Sequence, residues 1–562
     1  MGSELGLTAD TQAALDLSPA SIWWVVWGCV WTALVVAGMA YLVKNRDMPT
    51  LRIRGLALSL SSIVLLHLFG WVCQFGLLIG ALMPGDTQYW VMGTYLPCGI
   101  ALFHASNARF LHVAKLQRKY AVQGRRSLDA VLDVKPKAGL INRFRSLNYT
   151  TKIVIAVGIA MIVQIFLTVL MYLISRKWHS SWGIPGTEVH GSPMAQKAAQ
   201  GSGWEWWPGV FWQFVWSWVV APIVLWKSRN IRDTQGWRLQ TIGCALGSLH
   251  ATPMWLIALY VPGMAPVNRY FIPPQWICLS IWIIEIFTVF LPCWEVMRHQ
   301  SLRQETLDSI ARWEARVKVN SSEDKSFKSD TTVVESMVSG RKSMNASIQT
   351  NGSRDSILTM GALEHVLERN PLPLLEFSAL REFSGENIAF LMGVATWKNS
   401  LPHVLKNQTT SRDGQSQDLL RRAFNDALGI YVDFISVRHA EFPVNISSND
   451  LKFLEDTFER AACLLYGDER EADPVTPYDN FAMEPISPTV SEGSEAHIAN
   501  GTRHRIYYWG DIPDHFDATI FRDAEASIKY LVLTNTWPKF IKSQRYASVD
   551  SLGTLTDMYK TV

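Results

Sequence analysis

Cysteine is scarce in this chain and missing from the places where a secreted fold would need it. Of seven cysteines, Cys29, Cys73, Cys98, Cys244, Cys278 and Cys293 lie inside apolar runs and Cys463 lies in a charged region. No extracellular disulfide framework is implied. No CxxC pair and no Cys/His ligand spacing occurs, which excludes zinc fingers, and no metal or cofactor is expected. The formal charge is only +3, too small to suggest a nucleic-acid partner. Residues 1–21 contain no Lys or Arg, only Glu4, Asp10 and Asp16, and no small-residue cleavage site follows, so the first apolar run does not read as a signal peptide.

What the chain does have is tryptophan and long apolar runs, both gathered in its first half: 20 of the 24 tryptophans precede residue 301. The runs cover 22–43, 55–83, 89–113, 153–174, 208–226, 239–260 and 275–297. Each approaches or exceeds the roughly 20 residues that cross a hydrocarbon core. The basic residues between them alternate. Connection 44–54 holds Lys44, Arg46, Arg52 and Arg54, connection 114–152 holds ten, and connection 227–238 holds Lys227, Arg229, Arg232 and Arg238. The other side has only Arg176, Lys177, Lys197 and Arg269. Positive residues stay inside, so the N-terminus (1–21) is expected outside, the seven-span domain over 22–297, and everything beyond 297 in the cytosol. Trp204, Trp206 and Trp207 stand where an interfacial aromatic belt belongs.

Polar groups in hydrocarbon are costly and often functional. His67, His250 and Glu285 fall near mid-depth of spans two, six and seven, and are candidates for a ligand or proton-sensing pocket; the competing reading is interhelical hydrogen bonding. Pro97, Pro222, Pro253 and Pro292 predict kinks in spans three, five, six and seven.

Residues 298–318 carry Leu302, Leu307, Ile310 and Trp313 at helical spacing, predicting a helix that continues span seven. The rest of the 298–356 linker has little apolar content and reads as flexible. Ser343, after Arg341 and Lys342, and Ser548 and Ser551 in the 548–562 tail are candidate phosphorylation sites. From 357 the apolar spacing is helical throughout: Leu363, Val366, Leu367; then Ile388, Leu391, Met392 and Ala395, with Ser384 placed as N-cap; then Phe424, Leu428, Tyr431, Phe434 and Ile435. Leu451, Leu454, Phe458 and Ala462 follow, and Ile520, Ala524, Ile528 and Leu531 mark a last helix over about 517–534. The fold class is therefore all-α: a seven-helix transmembrane bundle followed by a helical cytosolic bundle. A Pro-, Glu- and Ser-rich insertion at 466–505 interrupts it.

Three blocks in order carry a resemblance: EFSALREFSGENIAFLM at 376–392, IYVDFISVRHAEFPVNIS at 430–447 and FRDAEASIKYLVLTNTWPKFIKS at 521–543. Together they resemble the regulator-of-G-protein-signalling (RGS) domain over about 357–547. Joined to seven spans, the chain looks like the seven-transmembrane RGS proteins of fungi and plants, the fungal kind above all. The resemblance implies a plasma-membrane protein that binds a GTP-bound Gα subunit and accelerates its hydrolysis by holding the switch loops, not itself an enzyme. By motif, Ser384, Glu386 and Asn387 match one Gα-contact loop, and Asn445 matches the family's Asn near the catalytic glutamine. Asn535, Thr536 and Lys539 stand where the family often has Asp-Ser and an Arg. This departure removes a charge-assisted bond and a bidentate fork.

The rival readings are a ligand-activated receptor that promotes nucleotide exchange with RGS feedback, for which the external ligand is unknown, and a transporter with a regulatory domain. The Asp/Glu-Arg-Tyr and Asn-Pro-x-x-Tyr motifs of rhodopsin-like receptors are missing, helix seven has no lysine for retinal, and no internal repeat of transporter type is visible. A zinc-dependent hydrolase lacks a helical His pair at ligand spacing.

Overall fold

In the computed structural model, residues 3–8, 10–46, 48–123, 149–179, 181–320, 358–401, 414–466 and 507–544 are described, and among them no strand forms. The chain divides into two units, Met1–Leu116 with Ala138–Arg298, and Gln117–Lys137 with His299–Val562. The candidate phosphorylation sites Ser343, Ser548 and Ser551, the insertion expected at 466–505 except Tyr466, and most of the linker beyond 320 lie outside the described residues.

The first unit is built from α1 (Pro19–Lys44), α2 (Leu56–Gln74), α3 (Gly85–Gln123, whose end passes into the second unit), α4 (Tyr149–Ile174), α5 (Pro193–Ser228), α6 (Trp237–Tyr260) and α7 (Pro273–Asp308). Ser18 starts α1, its Oγ accepting from the Ser21 N–H, with Pro19 at the first helical position, where a missing N–H costs nothing. Six helices, α1, α2 and α4 to α7, are long and apolar enough to cross a membrane. The third expected span, 89–113, lies inside α3 but is not among the six. At 39 residues α3 is long enough, yet His104, Ser106, Asn107 and Arg109 dilute its apolar character.

Three of the four expected kinks appear as local widening just before the proline. The π-type turns Val215–Val220 and Ile286–Phe290 precede Pro222 and Pro292, and α6 breaks at Leu249–His250 before Pro253. Proline lacks an N–H and its ring crowds the carbonyl four residues back, so the preceding turn opens. Pro97 sits inside an uninterrupted α3.

Polarity in this unit is inverted. On α4, Ile162 and Phe166 are 69% and 62% exposed, while Gln164 and Thr168 are 3% and 2% exposed. Gln164 Nε2 and Thr168 Oγ1 both donate to the Gly93 carbonyl, at 3.2 and 3.1 Å. Apolar side chains outside and hydrogen-bonded polar groups inside are what a hydrocarbon solvent selects, although Gln164 Oε1 is left without a partner. This is a membrane protein. Helix contacts are made through small residues: a Cβ on Gly243 would lie 2.4 Å from the Phe287 ring, and one on Gly247 2.4 Å from Ile283. These glycines form a G-x-x-x-G pair on α6 that admits α7 to close range.

The second unit, apart from α3's end, begins on the continuation of α7, the helix Leu291–Asn320, as the spacing of Leu302 and Leu307 predicts. Its bundle comprises α8 (Met360–Arg369), α9 (Leu372–Phe377), α10 (Gly385–Ser400), α11 (Gly414–Phe434), α12 (Ser448–Tyr466) and α13 (Arg522–Leu531). Thr359 caps α8 by accepting from the Ala362 N–H at 3.3 Å, and Ser447 caps α12 by accepting from Asp450 at 3.2 Å. Phe458 is the centre of an aromatic core, with ring centroids of Phe424, Tyr431, Phe516 and Phe521 between 5.3 and 6.1 Å away. Each buried ring of this kind contributes about 2–3 kcal/mol. The expected apolar positions are buried or half-buried with one exception. On α10 Ala395 is exposed, and Val394 takes the inward place beside Ile388, Phe390, Leu391 and Trp397.

Candidate functional site

The first candidate loop is a braced turn between two helices. α9 widens into a π-type turn at Ser378–Glu382, which ends at Phe383 with φ +51°. A left-handed backbone is strained for a bulky residue, and Phe383 is held there by burial. The Ser384 N–H donates to the Ser378 carbonyl at 3.0 Å, and Ser378 Oγ donates back to the Ser384 carbonyl at 2.7 Å. Ser384 stands at the N-cap as the sequence predicts, but its hydroxyl makes no cap bond; it lies 3.0 Å from Ser378 Oγ instead. Capping falls to a residue far away. Gln117, near the end of α3, accepts from the Gly385 N–H through Oε1 at 3.0 Å and donates from Nε2 to Glu386 Oε2 at 2.8 Å. A Cβ on Gly385 would meet Ala379 Cβ at 2.8 Å and Gln117 Oε1 at 3.1 Å, so the turn requires glycine. Glu386, in the first helical turn, also suits the positive end of the helix dipole. Asn387 is buried, and its Oδ1 has no hydrogen-bond partner.

The other two loops are tied to the first. Asn535 and Thr536 lie in the π-type turn Val532–Thr536 that follows α13; Thr536 is buried, and Asn535 Oδ1 is buried without a partner. Lys539, one turn on, donates to Glu382 Oε2 at 2.6 Å and to His299 Nε2 at 2.7 Å. Asn445 is exposed, just after a tight return in which the Val444 N–H donates to the Phe434 carbonyl at 2.8 Å. Tyr120 lies beside this return, 6.4 Å from the Phe442 ring. Burial, and then the carboxylates of Glu386, Glu441 and Asp433, push its phenol well above the ordinary tyrosine range. Tyr120 packs on the 442 side of the return, three residues beyond Gln117, which bonds the 386 turn. Gln117, Tyr120, Glu382 and His299 were invisible to sequence reasoning, because nothing in local spacing links contacts that span more than 150 positions.

Of the three candidate residues in the apolar unit, the structure joins two. His67 Nδ1 lies 2.7 Å from Glu285 Oε1, and His67 Nε2 lies 3.0 Å from Thr32 Oγ1. Trp31 Nε1 donates to the other Glu285 oxygen, so the buried carboxylate has partners on α1 and α2. His250 stands apart at the break in α6, with Nε2 buried and unpaired. A cavity in this unit is lined by His104, Gln213, Ser217, Ser248, Thr252 and Ser280 among apolar residues and measures about 30 Å³. It has room for water, and none of His67, His250 or Glu285 lines it.

One further cluster was not read from the sequence. Ligand atoms of His439, Glu459 and Cys463 lie within 4.8 Å of one another. Glu459 already receives Arg438 Nε at 3.1 Å, with the Tyr431 hydroxyl on its second oxygen. A guanidinium at the carboxylate opposes a bound cation; Glu459 instead ties Tyr431, Ser436 and Arg438 at the start of the 436–444 return. No family model matches the chain, and no curated protein and no solved structure matches it.

Proposed function

We propose that this chain is a membrane-tethered regulator of G-protein signalling. Its second unit binds a GTP-loaded Gα subunit on the cytosolic face of the plasma membrane and accelerates hydrolysis, and the apolar unit, N-terminus outside, receives the stimulus. In this reading the seventh span is the apolar part of α3. The observation that carries the reading is the convergence of three sequence-distant blocks: Lys539 is bonded to Glu382, and the end of α3 meets the other two, Gln117 at Glu386 and Tyr120 at Phe442. Two amide oxygens in these loops, Asn387 Oδ1 and Asn535 Oδ1, are buried acceptors without partners. Unsatisfied buried acceptors are costly in a folded protein and are commonly retained for a function.

The loops would act on Gα without donating a reacting group. Amide and hydroxyl side chains fix the switch segments in their transition-state geometry, and each tenfold of acceleration requires about 1.4 kcal/mol of preferential stabilisation. Tethering raises the local concentration of the unit at membrane-bound Gα. Single-turnover GTP hydrolysis by candidate Gα subunits, with the full chain in lipid nanodiscs, tests the reading. Acceleration is expected, with a loss of about tenfold or more in Asn445→Ala. Identical rates with and without the protein would defeat it.

A further inference from the structure

Gln117 is bonded to the first candidate contact loop. Its side chain is fully buried, and both ends of its amide are engaged, one by the Gly385 N–H and the other by Glu386. Lys539, the candidate contact of the third loop, is likewise engaged by His299 and Glu382. Nearby, Lys119 pairs with Glu441 at 3.3 Å beside the second loop. Each candidate loop therefore meets a residue of Gln117–Tyr120 or His299 that lies outside the RGS-like region. Gln117 and Tyr120 belong to the uninterrupted helix that starts at Gly85, and His299 to the helix Leu291–Asn320.

We infer that Gln117 is an autoinhibitory clasp on the candidate Gα-binding loop, which a Gα subunit engages only after the Gln117 amide leaves Gly385 and Glu386. This rests on the proposed function, and it names how that site is regulated. The chemistry suits release. One amide group satisfies a helix-end donor and a carboxylate together, so withdrawing a single side chain exposes both groups. His299 and Lys119 hold the neighbouring loops in the same closed state. A partner that binds only the open fraction sees its affinity reduced by that fraction, so loosening the clasp should strengthen Gα binding.

The test uses the full chain in nanodiscs with one Gα subunit. Gln117→Ala removes both bonds. Gln117→Glu keeps the size and helix preference but sets a carboxylate against Glu386. Both variants should raise GTP hydrolysis at sub-saturating protein by about fivefold or more, with tighter binding to Gα carrying GDP and aluminium fluoride. Hydrogen exchange at the Gly385 amide, read without Gα, should quicken in both. Wild-type acceleration that the variants leave unchanged or lower overturns the clasp while the proposed function stands. Unchanged exchange at Gly385 also overturns the clasp. Absence of acceleration by all three proteins overturns both ideas.

Discussion

The two units solve the same packing problem in opposite solvents. On α4 the large apolar side chains face outward while Gln164 and Thr168 turn inward to the Gly93 carbonyl. On α12 Phe458 is buried in an aromatic core, while charged Glu455 and Arg460 stay nearer the surface. In water, burying apolar area drives folding. In hydrocarbon that drive is absent, and close helix approach through small residues and satisfied polar contacts takes its place. This is why the first unit relies on Gly243, Gly247 and the Glu285–His67 pair, and the second on Phe424, Phe458 and Trp537.

The comparison can be broken most strongly at Phe458. Phe458→Ala is expected to cost the second unit about 3–5 kcal/mol, enough to make it protease-sensitive while the first unit stays membrane-inserted. Limited proteolysis with membrane fractionation reads both outcomes, and a protease-resistant second unit would show that the aromatic core is not its main support. Next comes Ile162→Asp on the outward face of α4, expected to oppose insertion by about 2.5–3.5 kcal/mol. Leu464→Asp, at an exposed site of α12, should change stability by less than about 0.5 kcal/mol. Equal effects at these two sites would erase the distinction between the solvents.

The remaining effect concerns charge. Burial alone would raise the Glu525 carboxyl, but the ammonium groups of Lys398 and Lys529 outweigh it and hold the pKa below the ordinary glutamate value. A lowered folded pKa contributes stability above the unfolded value, and that contribution is lost as pH falls through the folded one. The second unit should therefore weaken on acidification below pH 4.5, and Glu525→Gln should remove about 0.5–1 kcal/mol of that acid sensitivity. Thermal unfolding at pH 7 and pH 4 checks it; an acid sensitivity identical in both proteins would place its source elsewhere.

Much of this arrangement was legible in the residues. Apolar runs gave six spanning helices near their expected positions, and period-3.6 spacing gave the buried faces of α8, α11 and α12. The limits have physical causes. The third expected span is not among the six, because His104, Ser106, Asn107 and Arg109 lower the apolar character of α3. Ser384 was placed correctly as an N-cap, but its bonding was not, since Ser378 and Gln117 compete for the same groups. Depth along the helices put His67, Glu285 and His250 at one level but did not say which would pair, because depth says nothing about which way a side chain faces; the structure joins His67 to Glu285 and leaves His250 apart. Gln117 illustrates the deepest limit: a contact between residues 117 and 386 leaves no periodic trace.

The glycine pair on α6 has a mechanical consequence. Gly243 and Gly247 receive Phe287 and Ile283, two side chains also one turn apart. A slide of one residue along the axis would drive these side chains out of their notches and onto bulkier neighbours. α6 and α7 are thus keyed in register, and relative sliding along their shared seam requires the two helices to separate first.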